Sequence, residues 1–193
     1  MIRTGDTVEN PITGERVTFL ATSVDTHGEA VVIETVVQPH GFVAAAHVHP
    51  ARSERFAVEA GTLGLKVGRK KATLAAGEVA IVEAGNAHRF WNAGDEPVRF
   101  VCEVRPALRF EQLLETMFAL AADGRTNQKG MPNLLRLAVI ARAYFDVVRL
   151  PFPPAVVQRA GLALGAPLGR LLGYRPTYAR AVEPLAANAI GSL

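Results

Sequence analysis

The sequence predicts an all-β sandwich or barrel followed by an α-helical C-terminal extension. Two observations carry this. Two-residue alternation and closely spaced turn glycines run to about residue 106, and beyond Pro106 the apolar period lengthens to about 3.6. The expected division is a β-barrel over 1–106 and a helical extension over 107–193 that packs on the barrel or on a second subunit.

Taken in order, ERVTFLAT (15–22) is rich in β-formers, DTHG (25–28) is a turn signal, and EAVVIETVVQ (29–38) is a longer strand beyond it. Later, Glu54, Phe56 and Val58 share one face of a strand and Arg55, Ala57 and Glu59 the other. Phe100, Cys102 and Val104 likewise oppose Arg99, Val101 and Glu103. Gly61, Gly64, Gly68, Gly77, Gly85 and Gly94 punctuate this region, and no βαβ alternation interrupts it.

After Pro106, the residues Phe110, Leu113, Leu114, Met117 and Ala121 fall on one helical face. Glu111, Gln112 and Glu115 form the expected polar face, with Gly124 as the stop. A loop (125–132) leads to NLLRLAVIARAYFDVVRL (133–150), a helix whose narrow polar stripe of Arg142, Asp146 and Arg149 implies burial on nearly all sides. PFPP (151–154) breaks the chain. Gly161, Gly165, Gly169 and Gly173 then recur every four residues, which on a continuous helix makes a groove for close helix contact. Pro167 favours two short helices instead, one ending near Gly165 and the next opening at Pro167.

Length and composition bound the function. A chain of 193 residues with 49% hydrophobic side chains can bury a core without disulfides, and its single cysteine, Cys102, has no internal partner. With a polar opening segment and no long apolar run, the expected setting is cytoplasmic. Residues 1–123 hold 12 basic and 16 acidic side chains, residues 124–193 hold 9 and 2. That +7 tail invites an acidic partner or an anionic membrane surface. Its arginines are spaced singly without interleaved aromatics, which argues against nucleic acid.

Four of the five histidines lie between 40 and 88. His47 and His49, two apart on a strand, point to one side. Glu54 follows a short turn headed by Pro50 and opens the next alternating strand, and His88 shares a face with Phe90 and Asn92. Three imidazoles and a carboxylate suit a first-row divalent ion and exclude a calcium-type cage. As zinc ligands, the four could close a structural site; an ion preferring six ligands keeps open positions. His27 and His40 fall in turns, outside the pattern.

These residues resemble the two signature motifs of the cupin superfamily. The first reads Gly41, five residues, His47-Val48-His49, four residues, Glu54, six residues, Gly61. The second reads Gly77, five residues, Glu83-Ala84-Gly85, two residues, His88, three residues, Asn92. Glu83 replaces the usual proline, so a slightly looser turn is expected there with no ligand lost. The resemblance covers about residues 30–106. It implies a double-stranded β-helix, the jelly-roll form of barrel, and one divalent transition-metal ion (Fe, Mn, Ni or Zn) held by His47, His49, Glu54 and His88.

Around those ligands, Phe56 and Phe90 are expected to wall the substrate pocket and Cys102 to point into it. Arg52, expected in the loop over the pocket mouth, is placed to meet an anionic substrate. Three functions fit. One is a metal-dependent dioxygenase similar to the quercetin dioxygenase-like cupins, with Glu54 doubling as base. Another is a non-catalytic small-molecule binder whose helical tail contacts a partner or membrane surface, and the last is a metal-dependent isomerase or lyase. A homodimer is expected on general grounds.

Overall fold

In the computed structural model the structure describes residues 2–43 and 45–179, so the expected extension is described as far as residue 179. Ten strands come first: β1 Thr7–Asn10, β2 Glu15–Ala21, β3 Val31–Val37, β4 His47–Val48, β5 Ser53–Ala60, β6 Thr62–Val67, β7 Lys70–Ala75, β8 Val79–Val82, β9 Ala87–Asn92 and β10 Val98–Arg105. Helices α1 Phe110–Ala122, α2 Leu134–Ala143 and α3 Ala155–Leu171 follow.

The strands form two antiparallel sheets, one ordered β1-β2-β3-β10-β5-β8 and the other β4-β9-β6-β7. Alternation decides what lies between them. β3 buries Val31, Ile33, Thr35 and Val37, while β10 buries Val98, Phe100, Cys102 and Val104. These meet Leu63, Leu65 and Leu74 of the smaller sheet in one core. Each buried Phe or Leu contributes about 1.5–3 kcal/mol. Gly61 makes the β5–β6 turn at φ +74°, and a Cβ there would stand 2.7 Å from the Pro97 carbonyl oxygen, so glycine is required on both counts.

Three expectations for the extension change. First, only Gln112 of the anticipated polar face of α1 is exposed; Glu111 and Glu115 are buried. The helix is covered on two sides, with Phe110 and Phe118 in the barrel core and Leu120 in a second cluster with Ile140, Tyr144 and Val147. Glu111 stays satisfied by accepting the Ser23 N–H at 2.5 Å.

Second, the helix expected over 133–150 ends at Ala143 and leaves Leu134 80% exposed, so burial on nearly all sides does not hold. Asn133 caps its start by accepting the Arg136 N–H at 3.0 Å. Arg109 ends it, donating to the Ala143 carbonyl at 2.6 Å and to Asp146 at 2.7 Å. Tyr144 turns inward to the second cluster, and the chain runs on as a strap whose Arg149 pairs with Val48.

Third, α3 is continuous through Pro167. The small-residue groove is what outweighs the proline. A Cβ at Gly169 would lie 2.6 Å from the Leu135 carbonyl oxygen, and one at Gly165 3.1 Å from Ala138 Cβ, so α3 rests directly on α2. The close packing offsets the roughly 3 kcal/mol that an interior proline costs a helix.

Candidate metal centre

The four candidate ligands come from both sheets. His47 on β4 and His88 on β9 are direct cross-strand partners, and His49 follows one residue past β4. Glu54 enters from the other sheet, on β5 between Val104 of β10 and Val82 of β8. His49, Glu54 and His88 are buried and His47 is half-buried. One ligand atom from each lies within 4.8 Å of the others. Bonds of about 2.1 Å would put ligand atoms about 3 to 4.2 Å apart, so small side-chain rotations close the set on one ion.

Every imidazole is oriented by a backbone carbonyl. The Nδ1–H groups of His47, His49 and His88 donate to the carbonyls of Ala45 (2.8 Å), Val147 (2.7 Å) and Asn86 (3.1 Å). A carbonyl only accepts, so the proton is fixed on Nδ1 and the neutral ring presents the Nε2 lone pair inward. Glu54 Oε1 lies 3.1 Å from His49 Nε2, and Oε2 lies 2.7 Å from His88 Nε2. Despite that short approach, the buried Nε2 of His88 makes no hydrogen bond among the described residues. An unprotonated Nε2 and a carboxylate oxygen both only accept, so the close pair is one that a shared cation would relieve. The donor set therefore fits a divalent transition metal.

Electrostatics differ among the ligands. Burial, then repulsion from His49 and His88, brings His47 down to about 3, which keeps it neutral. Burial would raise the Glu54 carboxyl, but His49 and His88 outweigh it and hold the group well below the usual carboxylate range. On His88, burial opposes the charged form and Glu54 outweighs it, so its pKa is raised.

The turn before His88, where Glu83 stands in place of proline, is closed by hydrogen bonds. The Asn86 N–H donates to the Glu83 carbonyl at 3.3 Å, its side chain donates to the same oxygen at 3.1 Å, and the Gly85 N–H reaches the His49 carbonyl at 2.8 Å. His27 and His40 lie in exposed turns away from the cluster. Phe56, Phe90 and Phe100 stack with ring centroids 5.4 to 6.0 Å apart, which fills the barrel beside Glu54. Cys102, between Ile33 and Phe56, is a buried core residue whose thiol is pushed up by burial and then by Glu54 and Glu103. Arg52 is not exposed over a pocket mouth: it is buried at 1% exposure, under α1.

Two contributors had no signal in the sequence. Val147 acts through its backbone carbonyl, which no side-chain pattern announces, and Phe110 packs edge-on to His49 with centroids 6.3 Å apart.

Comparison with known proteins bears on the same stretch of chain. The family model described as "Cupin domain" matches residues 33–104, the stretch that holds all four candidate ligands. The chain carries a cupin domain. Solved structures similar to it include a conserved protein with a double-stranded β-helix domain from Klebsiella pneumoniae, 25% identical, covering 56% of this chain and 84% of that one, with a TM-score of 0.43. Another is a predicted oxalate decarboxylase from Thermotoga maritima, 19% identical over 55% and 98% of the two chains, with a TM-score of 0.48. A sugar phosphate isomerase from Silicibacter pomeroyi is 23% identical over 49% and 60%, with a TM-score of 0.44. No protein of curated function matches the chain. Among the described residues, no helix of this cupin is long and apolar enough to cross a membrane.

Proposed function

We propose that the cupin domain holds one divalent transition-metal ion (Fe, Mn, Ni or Zn) through His47, His49, His88 and Glu54 and works as a metal-dependent oxygenase on a small molecule. The observation that carries the reading is the set of three imidazoles, each held by a backbone carbonyl, with the Nε2 atoms of His49 and His88 facing Glu54. When bound, Fe, Mn or Ni would supply Lewis acidity toward a chelated substrate and an electron path to dioxygen, whereas Zn would supply the Lewis acidity alone. His47, the half-buried ligand, marks the side from which a substrate arrives. Glu54 has two oxygens facing two different histidines, so one can stay as ligand while the other takes a substrate proton. Phe56, Phe90 and Phe100 exclude water behind it. Anaerobic reconstitution with Fe, Mn, Ni or Co followed by oxygen-uptake assays over enolisable substrates tests the reading. Consumption of oxygen lost in Glu54→Gln supports it, and silence across all loadings removes it.

A second reading, a binding module whose tail engages a partner or a second copy, rests on α3. Val157, Leu164, Leu168 and Leu171 form a stripe on its outer side, each more than half exposed. Light scattering on the purified protein, with liposome co-sedimentation as a second arm, separates a dimer from a membrane-bound form.

A further inference from the structure

Arg52 has the largest fully buried side chain among the described residues, and none of its three guanidinium nitrogens has a hydrogen-bond partner there. It stands just ahead of β5, two residues before Glu54. Its Cζ lies 5.2 Å from the centroid of the Phe110 ring, the same ring that His49 meets edge-on. The arginine and a candidate metal ligand thus share one phenylalanine as a wall.

Two carboxylates act on this guanidinium through space, Glu54 and Asp146, yet neither bonds to it. Glu54 is turned toward His49 and His88, and Asp146 is held by Arg109 at 2.7 Å. A buried cation with five unbonded N–H donors is costly unless a bound anion completes it.

We propose that Arg52 receives the carboxylate of a small organic acid whose neighbouring oxygen reaches the ion held by His47, His49, Glu54 and His88. The proposal rests on the metal-site reading and narrows its substrate to an acid of the 2-oxo or 2-hydroxy type. The planar guanidinium fork matches a carboxylate edge to edge, and Phe110 supplies a flat apolar floor beneath it. Shape favours carboxylate: Arg52 offers one planar fork, which a planar carboxylate matches, and no second guanidinium is free beside it, since the neighbouring Arg109 is occupied by Asp146 and the Ala143 carbonyl.

The test uses the full-length protein loaded with Co(II), whose visible absorption reports on the ligand shell. Wild type is titrated with pyruvate, lactate, uncharged hydroxyacetone and inorganic phosphate, alongside Arg52→Met and Arg52→Lys. The expected result is a spectral change with pyruvate or lactate, little with hydroxyacetone, and at least a roughly tenfold loss of acid affinity in Arg52→Met with Co(II) affinity kept within about threefold. Melting curves give a second readout. Pyruvate raises the melting temperature of wild type but not of Arg52→Met, and without acid Arg52→Met melts no lower than wild type because an unpaired buried charge has been removed.

A merely structural arginine gives the opposite: both variants melt lower and lose Co(II), which overturns the proposal. Tighter binding of phosphate than of either acid, or equal acid binding by Arg52→Met, also overturns it. Failure of wild type to take up Co(II) removes the metal-site reading itself, and the proposal with it.

Discussion

The Nδ1–H of His49 donates to the backbone carbonyl of Val147 at 2.7 Å, a bond between residues 98 apart in sequence. The strap carrying Val147 is fixed by two backbone bonds, Val48 N–H to the Arg149 carbonyl at 2.9 Å and Arg149 N–H to the Val48 carbonyl at 3.0 Å. The extension therefore sets the tautomer and orientation of a candidate metal ligand in the barrel.

Loosening the strap should weaken metal binding without touching a ligand. Arg149→Pro removes the N–H that donates to Val48, and metal affinity by calorimetry should fall about 10- to 100-fold, the range for an orienting partner. Arg149→Ala keeps both backbone bonds and should bind metal like wild type. Equal affinity of the proline variant would show that His49 needs no strap.

Glu15 on β2 should make a contribution to folding stability that falls as pH rises from acid to neutral, opposite in sign to those of His47 and Glu54. Burial pushes its carboxyl up from 4.5 to about 7, against the lowering effect of the Thr13 hydroxyl that donates to it at 2.7 Å. The folded chain holds this proton more tightly than the unfolded chain. The contribution is thus fully present below pH 4.5 and lost as pH rises through 7, a change of about 3 kcal/mol. Wild-type stability minus that of Glu15→Gln, from urea unfolding, should fall with pH between about 4.5 and 7; a difference that stays constant with pH would exclude this role of Glu15.

Filling the helix groove should separate α3 from α2. Gly169→Leu places side-chain atoms where a Cβ alone already meets the Leu135 carbonyl oxygen at 2.6 Å. A loss of about 1–3 kcal/mol in thermal or urea unfolding is expected. Gly161→Leu, where a Cβ meets nothing within 4 Å, serves as the control and should lose no stability, since it replaces a helix-interior glycine.

Much of this site was legible because a strand converts sequence spacing into direction. His47 and His49 share a side by pleat alone, and Glu54, Phe56 and Val58 all face inward as their alternation requires. The helices were harder because their faces meet more than one surface. Glu111 and Glu115 read as polar and exposed, yet a strand-side loop and a second apolar cluster cover α1 from both directions. Pro167 gave the expected local signal, but the fit of Gly165 and Gly169 against α2 outweighed it. The burial of Arg52 depends on where α1 lands, a tertiary fact that spacing around Glu54 does not encode.

The most direct test of the central claim is the metal content of tag-free protein by plasma mass spectrometry, wild type beside His47→Ala/His88→Ala. The account predicts one divalent transition-metal ion per wild-type chain and less than about a tenth of that in the variant, since two of four ligands are gone. Metal-free wild type after reconstitution, or full retention by the variant, would contradict it.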